Sequence, residues 1–329
     1  MLTYYKNQNG ALVQTEQLEE DCWVCLCAPT ETELAAVEEG TGVLPEFLRA
    51  ALDEEERSRI ESDEDQSMVL VDIPQMEVDG KNYLYSTLPM AIIHLPDFII
   101  TVCLADNPLI RDMAEGRIRG VDTHKKTRFI LQLLYRNATR FLWHLRQIDS
   151  ASNRVQAELQ RSYRNRELLK MMTLKKSLVY FSTSLTSNEA VLERLAKVSY
   201  IKKYPEDEDL LDDVIIENKQ AIEMCAIFRD IISGTMDVYA SIISNNLNVV
   251  MKLLAAMTII IELPTLVTGA FGMNVQGIPF AGHPQGFWIV MAVALLISLA
   301  SAVVMWRKKM FYSAACQRPS SRYINKLRR

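Results

Sequence analysis

The chain has 329 residues, 49% hydrophobic and 23% charged, with a formal charge of −5 at pH 7. That length holds one large or two modest domains, and the apolar fraction suffices for a soluble core with residues to spare. Four histidines without metal-ligand spacing, no nucleophile motif and no Gly-rich Lys-Ser/Thr loop argue against an enzyme or an ATP-driven machine. The basic cluster Arg161, Arg164, Arg166 and Lys170 reads as a solvated helix face, so no nucleic-acid partner is expected.

Residues 1–118 read as a mixed α/β domain. Residues 1–10 are polar, so no cleavable secretory signal is expected. Runs of β-branched and aromatic residues at 23–28, 68–73, 82–87, 90–94 and 98–103, punctuated by Gly, Pro or Asp, predict strands. Residues 30–39 and 45–57 read as helices, the first capped by Thr30, and the acidic stretch 53–65 as a solvated helix and loop. Cys22, Cys25 and Cys27 read as packing in a buried strand, because a zinc site needs a second ligand pair. Their thiols are expected to be reduced in a cytoplasmic domain. Residues 119–204 turn helical, with Ile130, Leu134, Ala138, Phe141 and Leu145 spaced by threes and fours. The predicted class is α+β: a small sheet with helices packed against it.

Pro205 opens a further helix, with Glu206, Asp207, Glu208 and Asp209 where the N-terminal dipole favours anions. No proline interrupts it before Pro264, so it is read through 205–271, roughly 100 Å at 1.5 Å per residue. A cytoplasmic domain carried into a membrane needs such a stalk. Residues 253–271 are 19 in number with one charged side chain, Glu262, and the 20 residues 287–306 have none. Both match the roughly 20 apolar residues that cross a bilayer core. Lys252 precedes the first span, Arg307, Lys308 and Lys309 follow the second, and the loop 272–286 between them has no charge. Both termini should therefore be cytoplasmic, with Trp288 and Trp306 near the interfaces. From Arg307 onward there are eight basic residues and no acid, leaving −13 on residues 1–306, so the tail 307–329 is expected against anionic headgroups. A buried hairpin of a soluble protein explains the span lengths but not the charge asymmetry.

Alternate steps of four and three from Asp230 pass through Gly234, Asp237, Ser241, Ser244, Asn248, Met251, Ala255, Thr258, Glu262, Thr265 and Gly269. This seven-residue repeat has a polar or small seam where a coiled coil is apolar. An outward Glu262 is costly in lipid, so intramembrane carboxylates usually face a bundle interior or a wet path. Close packing through small residues is the alternative, but the polarity continues far below the membrane. Two spans cannot enclose a pore, so several copies must share an axis.

Gly272-Met273-Asn274 closing the first of two C-terminal spans resembles the signature of the CorA family of divalent-cation transporters. Arg229-Asp230-Ile231-Ile232-Ser233-Gly234, Asp237-Val238-Tyr239 and Asn248-Val249-Val250-Met251-Lys252 are similar to that family's stalk. The resemblance implies a funnel-shaped homopentamer with the first span lining the channel and the Gly-Met-Asn loop at its outer mouth. Neutral Asn274 oxygens and Gly272 carbonyls would accept hydrogen bonds from a hydrated Mg²⁺, which sheds water reluctantly. By position in the stalk, Asn248, Met251, Thr265 and Gly269 would line the path, Met251 and Leu254 would stand near an apolar gate, and Asp237 would form a carboxylate ring. The family's feedback by cytosolic Mg²⁺ suggests Asp213 as a regulatory ligand, with Asp63, Glu64 and Asp65 as partners by charge alone. Mg²⁺ is thus expected as substrate and regulator, without an organic cofactor.

Two departures stand out. The loop 275–286 lacks the acids common after the tripeptide, and Glu262 takes a seam position commonly apolar in the magnesium members. The expected function is inward movement of a divalent cation, most simply Mg²⁺ with Co²⁺ or Ni²⁺ as further ions. A zinc transporter of the same architecture, with proton coupling through Glu262, is the alternative, since Leu263-Pro264-Thr265 and Gly277-Ile278-Pro279 resemble that branch. A membrane-anchored sensor or scaffold without ion flux is the alternative from another class.

Overall fold

The structure, a computed structural model, describes residues 1–329 except 9, 80–81, 119, 162–164, 198–204, 274–277, 280–283 and 309–329. Its elements run β1 (Leu2–Gln8), β2 (Ala11–Thr15), β3 (Trp23–Cys27), α1 (Glu31–Thr41), α2 (Pro45–Ala50), β4 (Arg59–Asp63), β5 (Gln66–Asp79), β6 (Asn82–His94) and β7 (Ile99–Cys103). They continue as α3 (Pro108–Ala114), α4 (Lys126–Arg161), α5 (Asn165–Leu195), α6 (Pro205–Phe271) and α7 (Gly286–Arg307). Residues 1–236 and 237–329 are two compact units, and α6 contributes to both.

The seven strands form one sheet in the order β2-β1-β3-β7-β6-β5-β4, antiparallel throughout except for the parallel pair β3–β7. Side chains alternate across a strand, and here both faces are covered. Trp23, Cys25, Val69, Val71, Met90 and Ile92 share one core with α3, α4, the end of α5 and the start of α6. Val24, Leu26, Met68, Leu70, Ala91 and Ile93 share the other with α1 and α2. Cover on both sides is why β3 and β7 read as unbroken apolar runs. Trp23 is fully buried; its indole N–H donates to Thr101 Oγ1 at 2.9 Å, and its ring meets Tyr5 and Phe129 at centroid distances of 5.0 and 5.2 Å.

Several boundaries differ from the sequence expectation. The polar start of the chain is β1, an inner strand between β2 and β3. The acidic stretch is a hairpin rather than a helix and loop: β4 pairs with β5 from Arg59↔Leu70 to Asp63↔Gln66, and Glu64 turns the chain at φ 46°. Helix α2 accordingly stops at Ala50. The predicted strands at 82–87 and 90–94 are one strand that runs through Pro89. Helix α3, which begins at Asn107-Pro108 with Asn107 Oδ1 accepting from Leu109 N at 2.8 Å, had no counterpart among the predicted elements. Thr30 caps α1 as expected, in a capping box with Glu33.

Strand β5 outruns β4, so its edge beyond Val71 needs other partners. Asn188 of α5 supplies them as a backbone mimic: its Oδ1 accepts from Asp72 N at 2.9 Å and its Nδ2 donates to Asp72 O at 2.8 Å. Asn137 Nδ2 also donates to Asp72 O at 2.8 Å. Two residues on, Pro74 has no N–H to satisfy, and its carbonyl accepts from Asn107 Nδ2 at 3.2 Å. A proline at an edge position and amides over the open backbone keep the edge from pairing with another chain.

His144 lies buried among Tyr85, Trp143 and Phe181, and its Nδ1 has no hydrogen-bond partner among the described residues. Burial, helped by the charge of Arg140, pushes its pKa down to about 4. The folded imidazole stays neutral where the unfolded one, near pKa 6.5, takes a proton. Its stabilising contribution is therefore complete above pH 6.5 and lost as pH falls towards 4. A His144→Phe variant should flatten the thermal-midpoint profile in that window; an undiminished acid slope would assign the effect to another group.

Candidate ion-conduction helix and loop

Helix α6 begins with Pro205 at its first turn, where a missing N–H costs nothing. Its opening acids do more than meet the dipole. Arg128 of α4 reaches Glu206 Oε2 at 3.0 Å and Asp207 Oδ1 at 3.6 Å, and Asp207 is buried, which raises its pKa. Leu211 and Val214 enter the core, Asn218 Nδ2 donates to Leu185 O, and Cys225 Sγ donates to Leu178 O, both at 3.1 Å. The first part of the stalk is thus fastened to α4 and α5.

In the second unit the seam is open to the outside along its length. Asp237, Ser241, Ser244, Asn248, Met251, Ala255, Thr258, Glu262, Thr265 and Gly269 are all exposed, as is Leu254 one residue off the seam. Two seam hydroxyls are tied to their own helix: Thr258 Oγ1 donates to Leu254 O at 2.9 Å and Thr265 Oγ1 to Ile261 O at 2.7 Å. Each has its proton engaged and lone pairs left to accept from water. Together with the Asn248 amide and the Glu262 carboxyl they form a row of acceptors, the chemistry that suits the outward O–H groups of a hydrated cation.

Pro264 lies inside the apolar part of α6. Pro264 leaves Ile260 O without its usual helical N–H, and Thr268 Oγ1 donates to Pro264 O at 3.2 Å one turn on. Ser and Thr side chains commonly support prolines in membrane helices. Thr268 was not among the residues singled out in the sequence, although a Thr four places after a proline in an apolar span is a readable signal. At the end of α6, Gly272 N donates to Thr268 O and Gly269 O at 3.0 and 3.1 Å, and Met273 is exposed. Asn274 lies outside the described residues.

Helices α6 and α7 are each long and apolar enough to cross a membrane, and only 6% of either apolar stretch is buried. A core hairpin of a soluble protein is mostly buried, so that alternative is removed. Phe287 and Trp288 at one end of α7 and Trp306 at the other are exposed, and Arg307 closes its last turn. Lys309 and the rest of the basic tail lie outside the described residues.

Asp213 is exposed on α6, and Asp63, Glu64 and Asp65 stand exposed at the β4–β5 turn. Among the described residues no three His, Cys, Asp or Glu side chains converge on a metal position. Asp213, Asp237 and Glu262 belong to no such group.

The profile of the family described as CorA-like Mg²⁺ transporter protein matches residues 19–309, across both units and both apolar helices. The chain belongs to this CorA family. It is 29% identical over 297 residues to the cobalt/magnesium transport protein CorA of Methanocaldococcus jannaschii, an alignment covering 87% of this chain and 90% of that one. The fold is similar to the complete structure of the CorA magnesium transporter of the same organism, with a TM-score of 0.80, 24% identity and coverage of 93% and 98%. It is also similar to the full-length CmaX protein, with a TM-score of 0.67, 18% identity and coverage of 93% and 97%. As a CorA-family member the chain is a divalent-cation transporter with an N-terminal α/β domain, a long helix and two apolar helices.

Proposed function

We propose that this CorA-family chain assembles as a homopentamer and conducts Mg²⁺ inward along the axis shared by its five α6 helices. The observation that carries this is the exposed acceptor seam running from Asp237 through the apolar span to Gly269. Facing lipid, that row would strand a carboxylate in hydrocarbon at a cost of a few kcal/mol or more per chain; facing an axis, it lines a wet passage. Asn274 and Gly272 receive the hydrated ion at the outer mouth, Met251 and Leu254 narrow the path, and Asp237 places a carboxylate ring below them. Both termini are cytoplasmic, and the basic tail rests on anionic headgroups. The driving force is electrical: a doubly charged ion gains about 4.6 kcal/mol across roughly 100 mV.

Purified protein in liposomes, assayed with Mg²⁺, Zn²⁺, Co²⁺ and Ni²⁺ with and without a pH gradient, tests the reading. Mg²⁺ uptake that follows membrane potential supports it. Zn²⁺ uptake driven by protons would favour the zinc alternative, and no flux of any ion the scaffold alternative.

Regulation in this reading is by cytosolic Mg²⁺ held between copies, with Asp213 as one ligand. Asp213→Ala should shift inhibition by internal Mg²⁺ to at least tenfold higher concentration while leaving the uninhibited rate intact, since a charge-assisted contact of roughly 1.5–3 kcal/mol is removed. An unchanged inhibition curve would remove Asp213 from the regulatory site.

A further inference from the structure

The C-terminal ends of β3 and β7, the sheet's parallel pair, bring together thiols that ion transport does not use. Cys27 and Cys103 are register partners, and their Sγ atoms lie 3.3 Å apart. Cys25, two residues back on the same strand, puts its Sγ 3.8 Å from that of Cys27. Cys25 and Cys103 are buried, whereas Cys27 is partly exposed. The residue after Cys27 is strained: Ala28 sits at φ 45°, and its N–H donates to Cys103 O at 2.9 Å, fastening the two strand ends together. A non-glycine residue at positive φ persists only where its surroundings over-determine it, and such residues gather at working sites.

We propose that Cys27 and Cys103 form a peroxide-sensitive thiol pair that closes to a reversible disulfide. Cys27 is the attacking group because it alone of the three reaches solvent. Hydrogen bonds from the Cys103 and Cys25 thiols favour its thiolate, against the opposing effect of burial. The Cys27 thiolate attacks one oxygen of a peroxide; the O–O bond breaks, hydroxide leaves and takes up a proton, and Cys27 becomes a sulfenic acid. Cys103 then attacks the Cys27 sulfur, forming the S–S bond and releasing the hydroxyl, with the Cys103 proton, as water. In balance, two thiols lose two electrons and one hydrogen peroxide becomes two waters.

Geometry selects Cys103 over Cys25 as the resolving partner. Neighbouring strands lie about 4.8 Å apart, inside the Cα range of disulfides, whereas positions i and i+2 on one strand are about 6.6 Å apart, near its upper limit. A disulfide in the cytoplasm is typically transient and redox-sensing, which suits a pair with one accessible thiol.

The full-length protein in detergent is treated with hydrogen peroxide, denatured, alkylated and mapped by mass spectrometry. The expected result is a linked peptide pair joining Cys27 to Cys103, lighter than the separate peptides by two hydrogens and separated again by dithiothreitol. Cys103→Ala should leave Cys27 as a trappable sulfenic acid, Cys27→Ser should leave Cys103 unoxidised, and Cys225→Ser should leave the link intact. If either substitution prevents folding, time-resolved labelling of the unmodified protein still decides, with Cys27 and Cys103 expected to disappear together. Thiols that stay free at peroxide levels oxidising glutathione, or a link from Cys27 to Cys25 instead, would overturn the proposal.

Discussion

Glu262→Lys is expected to abolish divalent-cation flux, whereas Glu262→Gln should leave a flux with altered ion selectivity or pH dependence. Glu262 stands in the apolar part of α6, on the exposed seam between Thr258 and Thr265. In the proposed assembly, five lysines would replace five carboxylates around one axis. Even in a water-like dielectric, a divalent ion about 8 Å from a lysine is repelled by roughly 1 kcal/mol, so the ring adds about 5 kcal/mol, a more than thousandfold barrier. Gln keeps an acceptor at the same place while removing the charge that would hold a second cation or a proton. Liposome uptake of Mg²⁺ at several pH values measures both variants. Wild-type flux through the lysine variant would mean that Glu262 does not face the ion path.

Asn274→Ala should lower Mg²⁺ uptake at least fiftyfold with the oligomer intact. The loop has no charged residue among positions 272–286, so capture at its mouth rests on neutral oxygens rather than long-range attraction. A ring of five amides offers five hydrogen bonds to the hydration shell, each contributing roughly 0.5–1.5 kcal/mol; losing all five outweighs any other neutral change in the loop. Gel filtration of the detergent-solubilised variant beside its flux separates loss of conduction from loss of assembly. Unchanged uptake would place selection elsewhere on the seam.

How legible each part was follows from the physics that sets it. The long helix could be read because proline is absent from 109–204 and from 206–263 and the acids gather after Pro205, and helix periodicity is local. The spans could be read because a bilayer imposes a length on an apolar run whatever the fold around it. Strands β3 and β7 showed themselves as unbroken apolar runs, but β1 did not: Tyr4, Tyr5, Lys6 and Asn7 look polar, and only the pairing of this strand with β2 along Tyr4 to Gln8 and with β3 along Leu2 to Tyr5 makes it an inner strand. The charged β4 was hidden for the same reason, its identity coming from backbone bonds to β5 rather than from its side chains. At the candidate site, the seam from Asp237 to Gly269 was readable as a repeat, while the bonds of Thr258, Thr265 and Thr268 depend on side chains turning back to their own helix.

The sequence by itself determined the long helix, the two membrane-length helices, the charge-free loop and the polar seam, since each depends on neighbours within a few turns. Tertiary structure alone decided the order of the sheet, the capping of the β5 edge by Asn137 and Asn188, and the meeting of Cys27 with Cys103. Those features join residues tens of positions apart, and strand pairing carries no local period by which one partner announces the other.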